Sequence, residues 1–124
     1  MIKVYKNRGY DALFNKATAW LDKYRLPYKV VTQTNLLYGD LKHILSLSDG
    51  GFEEIMISQL KAKKLYETLP KNFEELNTEE MLNLLLANQK FLRTPLIFDD
   101  KHLSVGYNPE AIRTFIPRVR RRVS

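Results

Sequence analysis

At 124 residues the chain is long enough for one hydrophobic core and short for two. It has no cysteine, which excludes a disulfide framework, a thiolate zinc site and any thiol nucleophile, and His43 and His102 alone supply a metal site poorly. Twenty Lys and Arg against fourteen Asp and Glu leave a net charge of +6, which suits an acidic partner such as nucleic acid but also ordinary solubility.

Ile2, Val4 and Tyr5 predict a short apolar strand at the centre of a sheet. This opening stretch carries neither the apolar segment nor the small-residue cleavage site of a signal peptide, and no apolar run approaches the ~20 residues of a membrane span. A cytoplasmic protein without a membrane partner is expected. Asn7–Gly9 reads as a turn. From about Tyr10 to Tyr24, Leu13, Ala17, Trp20/Leu21 and Tyr24 recur at helical spacing, with Lys16 and Lys23 toward water. Leu26-Pro27 ends that helix and Tyr28–Thr32 reads as a second strand, giving a parallel β-α-β unit with a right-handed crossover.

A short helix is expected over roughly Gly39–Leu47, with Leu41, Ile44 and Leu45 inward, ended by Ser48-Asp49-Gly50-Gly51. Either glycine of that turn suits a positive φ. Phe52 to Ile57 predicts a further helical turn, and Gln59–Leu69 a helix studded with Lys61, Lys63 and Lys64 and closed by Pro70. Asn77-Thr78-Glu79-Glu80 is a capping signal for a helix through Ala87, packed by Leu82, Leu85 and Leu86. Leu96–Phe98 and Leu103–Val105 flank a polar Asp-Asp-Lys-His connection, the pattern of a β-hairpin. Asn108-Pro109 then opens a helix over Pro109–Phe115, with Ala111, Ile112 and Phe115 on one face. The order β-α-β, helices, β-β-α implies an α/β fold in which the first and last parts share one four-stranded mixed sheet.

The C-terminal third carries a long motif: Leu92-Arg93-Thr94-Pro95, an apolar strand, Asp99-Asp100-Lys101-His102-Leu103, Val105-Gly106-Tyr107-Asn108, and Ile112-Arg113-Thr114-Phe115-Ile116-Pro117-Arg118. It resembles the Spx family of bacterial transcription regulators, which shares its fold with the thioredoxin-coupled arsenate reductases. The resemblance implies a thioredoxin-like half from residues 1–33 and 91–117, a helical insert over 34–90 and a basic tail at 118–124, all in one compact domain. It also implies a cis Pro95, here a structural proline.

The same resemblance directs attention to the loop after the first strand, where the family places its cysteines. Here that stretch reads Arg8-Gly9-Tyr10-Asp11-Ala12-Leu13-Phe14, one residue longer. Tyr10 or Asp11 stands in the nucleophile's place and Leu13 or Phe14 in that of the second cysteine. Neither a phenol nor a carboxylate replaces a thiolate in thiol–disulfide exchange, so reductase activity and a dithiol switch are not expected. Thr94 stands where the reductases carry arginine before the proline, and Arg93, one position earlier, would point elsewhere along an extended segment.

By resemblance, Gly51 matches the glycine through which the family docks on the C-terminal domain of the RNA polymerase α subunit, with Ser46, Phe52, Glu53 and Glu54 as a rim. The plainer reading of the same turn is a helix C-cap. The family's arginine at the position of Gln59 is absent, so anion binding there is not expected. Lys61, Lys63 and Lys64, with Arg118, Arg120, Arg121 and Arg122, read as a solvated helix face and a basic terminus, or as nucleic-acid contacts within a polymerase–promoter complex. Trp20 and the tyrosines of the first third are expected in the core. The sequence thus predicts a non-enzymatic, Spx-like regulator that binds RNA polymerase, needs no cofactor or metal, and is a monomer when free. The alternative is a degenerate arsenate-reductase-like protein that binds some other partner.

Overall fold

The computed structural model describes residues 1–117. Two compact units are distinguished: Met1–Asn35 with the chain from Thr94 onward, and Leu36–Arg93.

The first unit is built on β1 (Ile2–Tyr5), β2 (Tyr28–Val31), β3 (Leu96–Phe98) and β4 (Leu103–Val105), in the order β2-β1-β3-β4. β1 pairs parallel with β2 and antiparallel with β3, which pairs antiparallel with β4. The expected mixed sheet and the central position of β1 are therefore observed. Helix α1 (Ala12–Lys23) connects β1 to β2 and starts two residues later than its periodicity suggested, because Asp11 caps it. Its buried face is Phe14, Ala17 and Leu21, and not the expected Leu13 and Tyr24, which are exposed. Apolar side chains at both 13 and 14 offered two stripes about 100° apart, and packing selected the second. These residues join Ile2, Val4, Leu26, Ile97, Ile112 and Phe115 in one core, with Trp20 packed at its edge. Tyr5 is fully buried, and burial pushes its phenol pKa well above the ordinary value. Tyr10, expected in the core, is instead 78% exposed.

Helix α1 ends in a tight reversal: the Arg25 amide donates to Asp22 and the Leu26 amide to Leu21. Arg25 takes φ 54° there, a place glycine more often fills. In the β3–β4 hairpin, Asp99 Oδ1 accepts the amides of Lys101 and His102 and closes the connection. The Thr94-Pro95 bond is cis. Helix α6 is the short Pro109–Ile112, capped by Asn108, and a 3-10 turn at Arg113–Phe115 completes the expected helical segment.

In the second unit, α2 (Tyr38–Leu47) packs against α5 (Thr78–Ala87). Helix α5 begins where the sequence signal placed it: Asn77 Oδ1 accepts the Glu80 amide and Glu80 Oε1 accepts the Asn77 amide. Its fully buried face is Met81, Leu82 and Leu85, with Leu86 only half-buried. Between these helices lie α3 (Phe52–Ile55) and α4 (Lys63–Tyr66). The helix expected over Gln59–Leu69 shrinks to α4. Ala62, Leu65, Tyr66 and Leu69 keep helical spacing around it, but Leu60 is left 82% exposed. The segment after α3 instead pairs with the chain before Thr94: the Ile57 amide donates to Phe91, and the Arg93 amide to Ile55.

Candidate functional site

β1 delivers the chain to a bend at Asn7–Gly9, and α1 begins at Asp11. An extended Asp before the first helical residue places its carboxylate over the exposed amides of the first turn. Asp11 Oδ1 accepts the Phe14 amide at 3.1 Å, and Oδ2 accepts the Thr94 hydroxyl at 2.5 Å. The side chain is buried, at 7% exposure. The loop after β1 is thus joined through one carboxylate to the residue preceding the cis proline, 83 positions away in the chain. Of the alternatives in this loop, Asp11 and Phe14 point inward, whereas Tyr10 and Leu13 face water.

A helix N-terminus attracts anions through its free amides and its dipole. Here the anion is the protein's own. Each oxygen of Asp11 accepts one hydrogen bond, from the Phe14 amide and from the Thr94 hydroxyl. The sequence contained half of the arrangement, since Asp before an apolar-periodic run is a capping signal. Nothing local linked it to Thr94.

In the helical unit, Ser48 Oγ donates to Glu54 Oε2 at 2.8 Å and contacts the Gly51 carbonyl at 3.1 Å, and the Gly50 amide donates to Glu54 Oε2 at 2.7 Å. Glu54 is therefore committed to closing the turn between α2 and α3. The two glycines serve different needs. A Cβ on Gly50 would lie 3.1 Å from the Glu54 Cβ, whereas around Gly51 nothing lies within 4 Å. Gly51, however, has φ 66° and ψ −145°, a conformation that glycine alone adopts without strain. The positive φ thus belongs to Gly51 and not to Gly50, and Gly51 opens α3 as its N-cap. Beside it Phe52 is half-buried and Glu53 exposed. Ser46 is exposed on α2, its hydroxyl donating to the His43 carbonyl at 2.6 Å.

A groove of about 710 Å³ in the same unit is bordered by Phe52, Glu53, Met56, Leu60, Tyr66 and Arg93. Arg93 therefore belongs to the edge of this groove, alongside Gln59. Tyr66 donates to the Ile57 carbonyl at 2.5 Å; burial raises its pKa, against the opposing influence of Arg93. Lys61, Lys63 and Lys64 are all exposed on and before α4. Arg118, Arg120, Arg121 and Arg122 lie outside the described residues. Among the described residues, no group of three or more His, Asp or Glu is placed to hold a metal, and no helix is long and apolar enough to cross a membrane.

Comparison with known proteins agrees with this fold. Residues 6–115 match the model of the ArsC family. The chain is 36% identical over 110 residues to a Lactococcus lactis protein named global transcriptional regulator Spx 1, covering 86% of this chain and 83% of the relative. Among solved structures, a Staphylococcus aureus protein superposes with a TM-score of 0.74 at 21% identity, over 92% of this chain and 97% of that one. An arsenate reductase from Vibrio cholerae gives 0.65 at 15% identity, over 93% and 97%. The fold is thus the arsenate-reductase-like thioredoxin fold, and the chain belongs to the ArsC family as a cysteine-free relative of the Spx regulators.

Proposed function

We propose that this chain is a non-enzymatic regulator of transcription that binds the C-terminal domain of the RNA polymerase α subunit through the surface around Gly51, with no thiol switch. The observation that carries this reading is the turn at Gly51: a rigid, internally bonded corner whose apex has nothing within 4 Å of where a side chain would begin. Such a corner lets a partner approach the main chain closely. Phe52 offers apolar contact and Glu53 a free charge, whereas Glu54 and Ser46 are occupied by internal hydrogen bonds and contribute less. The name of the Lactococcus lactis relative supports a role in transcription.

The Asp11–Thr94 bond supports a protein without a redox-controlled state. Where a cysteine pair would open and close, this loop is held by a hydrogen bond that oxidants do not touch. Regulation then follows from occupancy: the chain covers a surface of α and displaces or redirects other contacts there. Lys61, Lys63, Lys64 and the arginine-rich tail add phosphate contacts once polymerase is on promoter DNA. The free protein is monomeric and cytoplasmic in this account.

Recovery of polymerase α from a bacterial lysate on the immobilised chain tests the reading. Specific recovery supports it. A folded bait that leaves α behind while retaining another protein favours the alternative of a reductase-like scaffold turned to a different partner.

A further inference from the structure

The loops after β1 and β2 leave the carboxyl ends of two parallel strands side by side, the place where open α/β sheets commonly receive ligands. Between them is a shallow cleft of about 330 Å³ lined by Lys6, Asn7, Arg8, Thr32, Gln33 and Thr34, with the Gly9 backbone. The lining holds two cations and no carboxylate. Neither docking on polymerase nor the Asp11–Thr94 bond uses these side chains. We infer that this cleft binds a phosphate group.

The walls are pre-formed. The Lys6 amide donates to Val31, extending the parallel ladder into the cleft, and Gln33 Nε2 donates to the Asn7 carbonyl at 3.0 Å, tying one loop to the other. Asn35 Oδ1 accepts the Thr32 amide at 2.6 Å, and the hydroxyls of Thr32 and Thr34 meet at 3.1 Å. Lys6 is steered by its position 4.5 Å from the Phe14 ring centroid and by a 3.3 Å contact with the Gly9 carbonyl. An ammonium has three donors, so two remain. Arg8 is exposed and offers a planar guanidinium, the group best matched to phosphate oxygens. The Asp11 carboxylate already takes the Phe14 amide at the start of α1, so the cleft's charge comes from Lys6 and Arg8.

Amide NMR spectra of the full chain, titrated with inorganic phosphate at ionic strength held constant with chloride, test the inference. Saturable shifts are expected at Arg8, Gly9 and Thr32–Thr34. Arg8→Gln, at an exposed position, should weaken the apparent affinity on the order of tenfold, the loss of one charge-assisted contact. Thr34→Ala, also exposed, should weaken it less. Shifts that rise linearly without saturation, or an Arg8→Gln titration equal to wild type, would overturn the site. Parallel titrations with adenosine monophosphate and a short DNA duplex separate the sources. Shifts of these amides by the duplex, reversed by inorganic phosphate, identify a phosphodiester. Shifts by inorganic phosphate and the nucleotide but not by the duplex identify a small phosphorylated ligand. No shift with any of the three overturns the proposal.

Discussion

Removing the carboxylate of Asp11 should do more damage than an ordinary helix cap. Loss of the cap itself costs about 1 kcal/mol. The half-buried Thr94 hydroxyl also loses a charge-assisted acceptor, worth about 1.5 kcal/mol. Asp11→Ala should therefore destabilise by about 2–3 kcal/mol, a fall of roughly 10 °C in Tm for a chain of this size. Thr94→Val keeps the cap but strips one oxygen of its partner and should cost about 1–2 kcal/mol. Because both variants break the same bond, their effects must overlap. The double variant is expected to fall short of the sum by about 1–2 kcal/mol. Urea unfolding of the four proteins measures this coupling. Additivity within about 0.5 kcal/mol would mean that the bond does not hold the two loops together in solution.

Asp99 provides a pH test. Burial pushes its pKa up, but the amides of Lys101 and His102 and the His102 ring outweigh that and hold the carboxyl below its ordinary value. The resulting stabilisation is present above about pH 4 and is lost as pH falls through the lower folded-state value. Since the pair is partly exposed, it amounts to less than about 1 kcal/mol, and Asp99→Asn should flatten that part of the acid limb in unfolding curves; identical limbs would remove the assignment. At the α2–α3 turn, Gly51→Ala should cost roughly 1–2 kcal/mol through backbone strain, and Gly50→Ala less, because Glu54 has only to give way slightly. Thermal unfolding in the reverse order would reverse their roles. Deleting residues 118–124 should weaken promoter-complex formation more at low salt than at high salt, as measured by gel shift; equal loss at both would assign the tail no phosphate contact.

Much of the fold was legible because local signals agreed with tertiary ones. The Asn77–Glu80 capping box, the Asp99–His102 connection and Pro109 after Asn108 each specify their geometry within a few residues. Leu13 against Phe14 was not decidable locally, since both are apolar and only packing on β1 and β3 distinguishes them. The lysine-rich stretch from Gln59 had helical spacing, but none of the side chains of α4 is buried, and without burial only a single turn forms. At the candidate site, Gly51 was singled out by resemblance, but its positive φ was not legible, because two adjacent glycines satisfy the same local rule. The capture of Glu54 by Ser48 and Gly50, and of Thr94 by Asp11, depends on distances that no spacing rule encodes.

Glu53 is the residue best suited to test the central claim, since it is exposed beside Gly51 and its replacement leaves the turn bonded through Glu54. Calorimetric titration of the isolated α C-terminal domain into wild type, wild type treated with diamide, and Glu53→Lys addresses it directly. The account predicts equal affinity for the first two and a loss on the order of tenfold or more for Glu53→Lys with unfolding unchanged. Binding that Glu53→Lys leaves at wild-type strength, or that diamide alters several-fold, would contradict it.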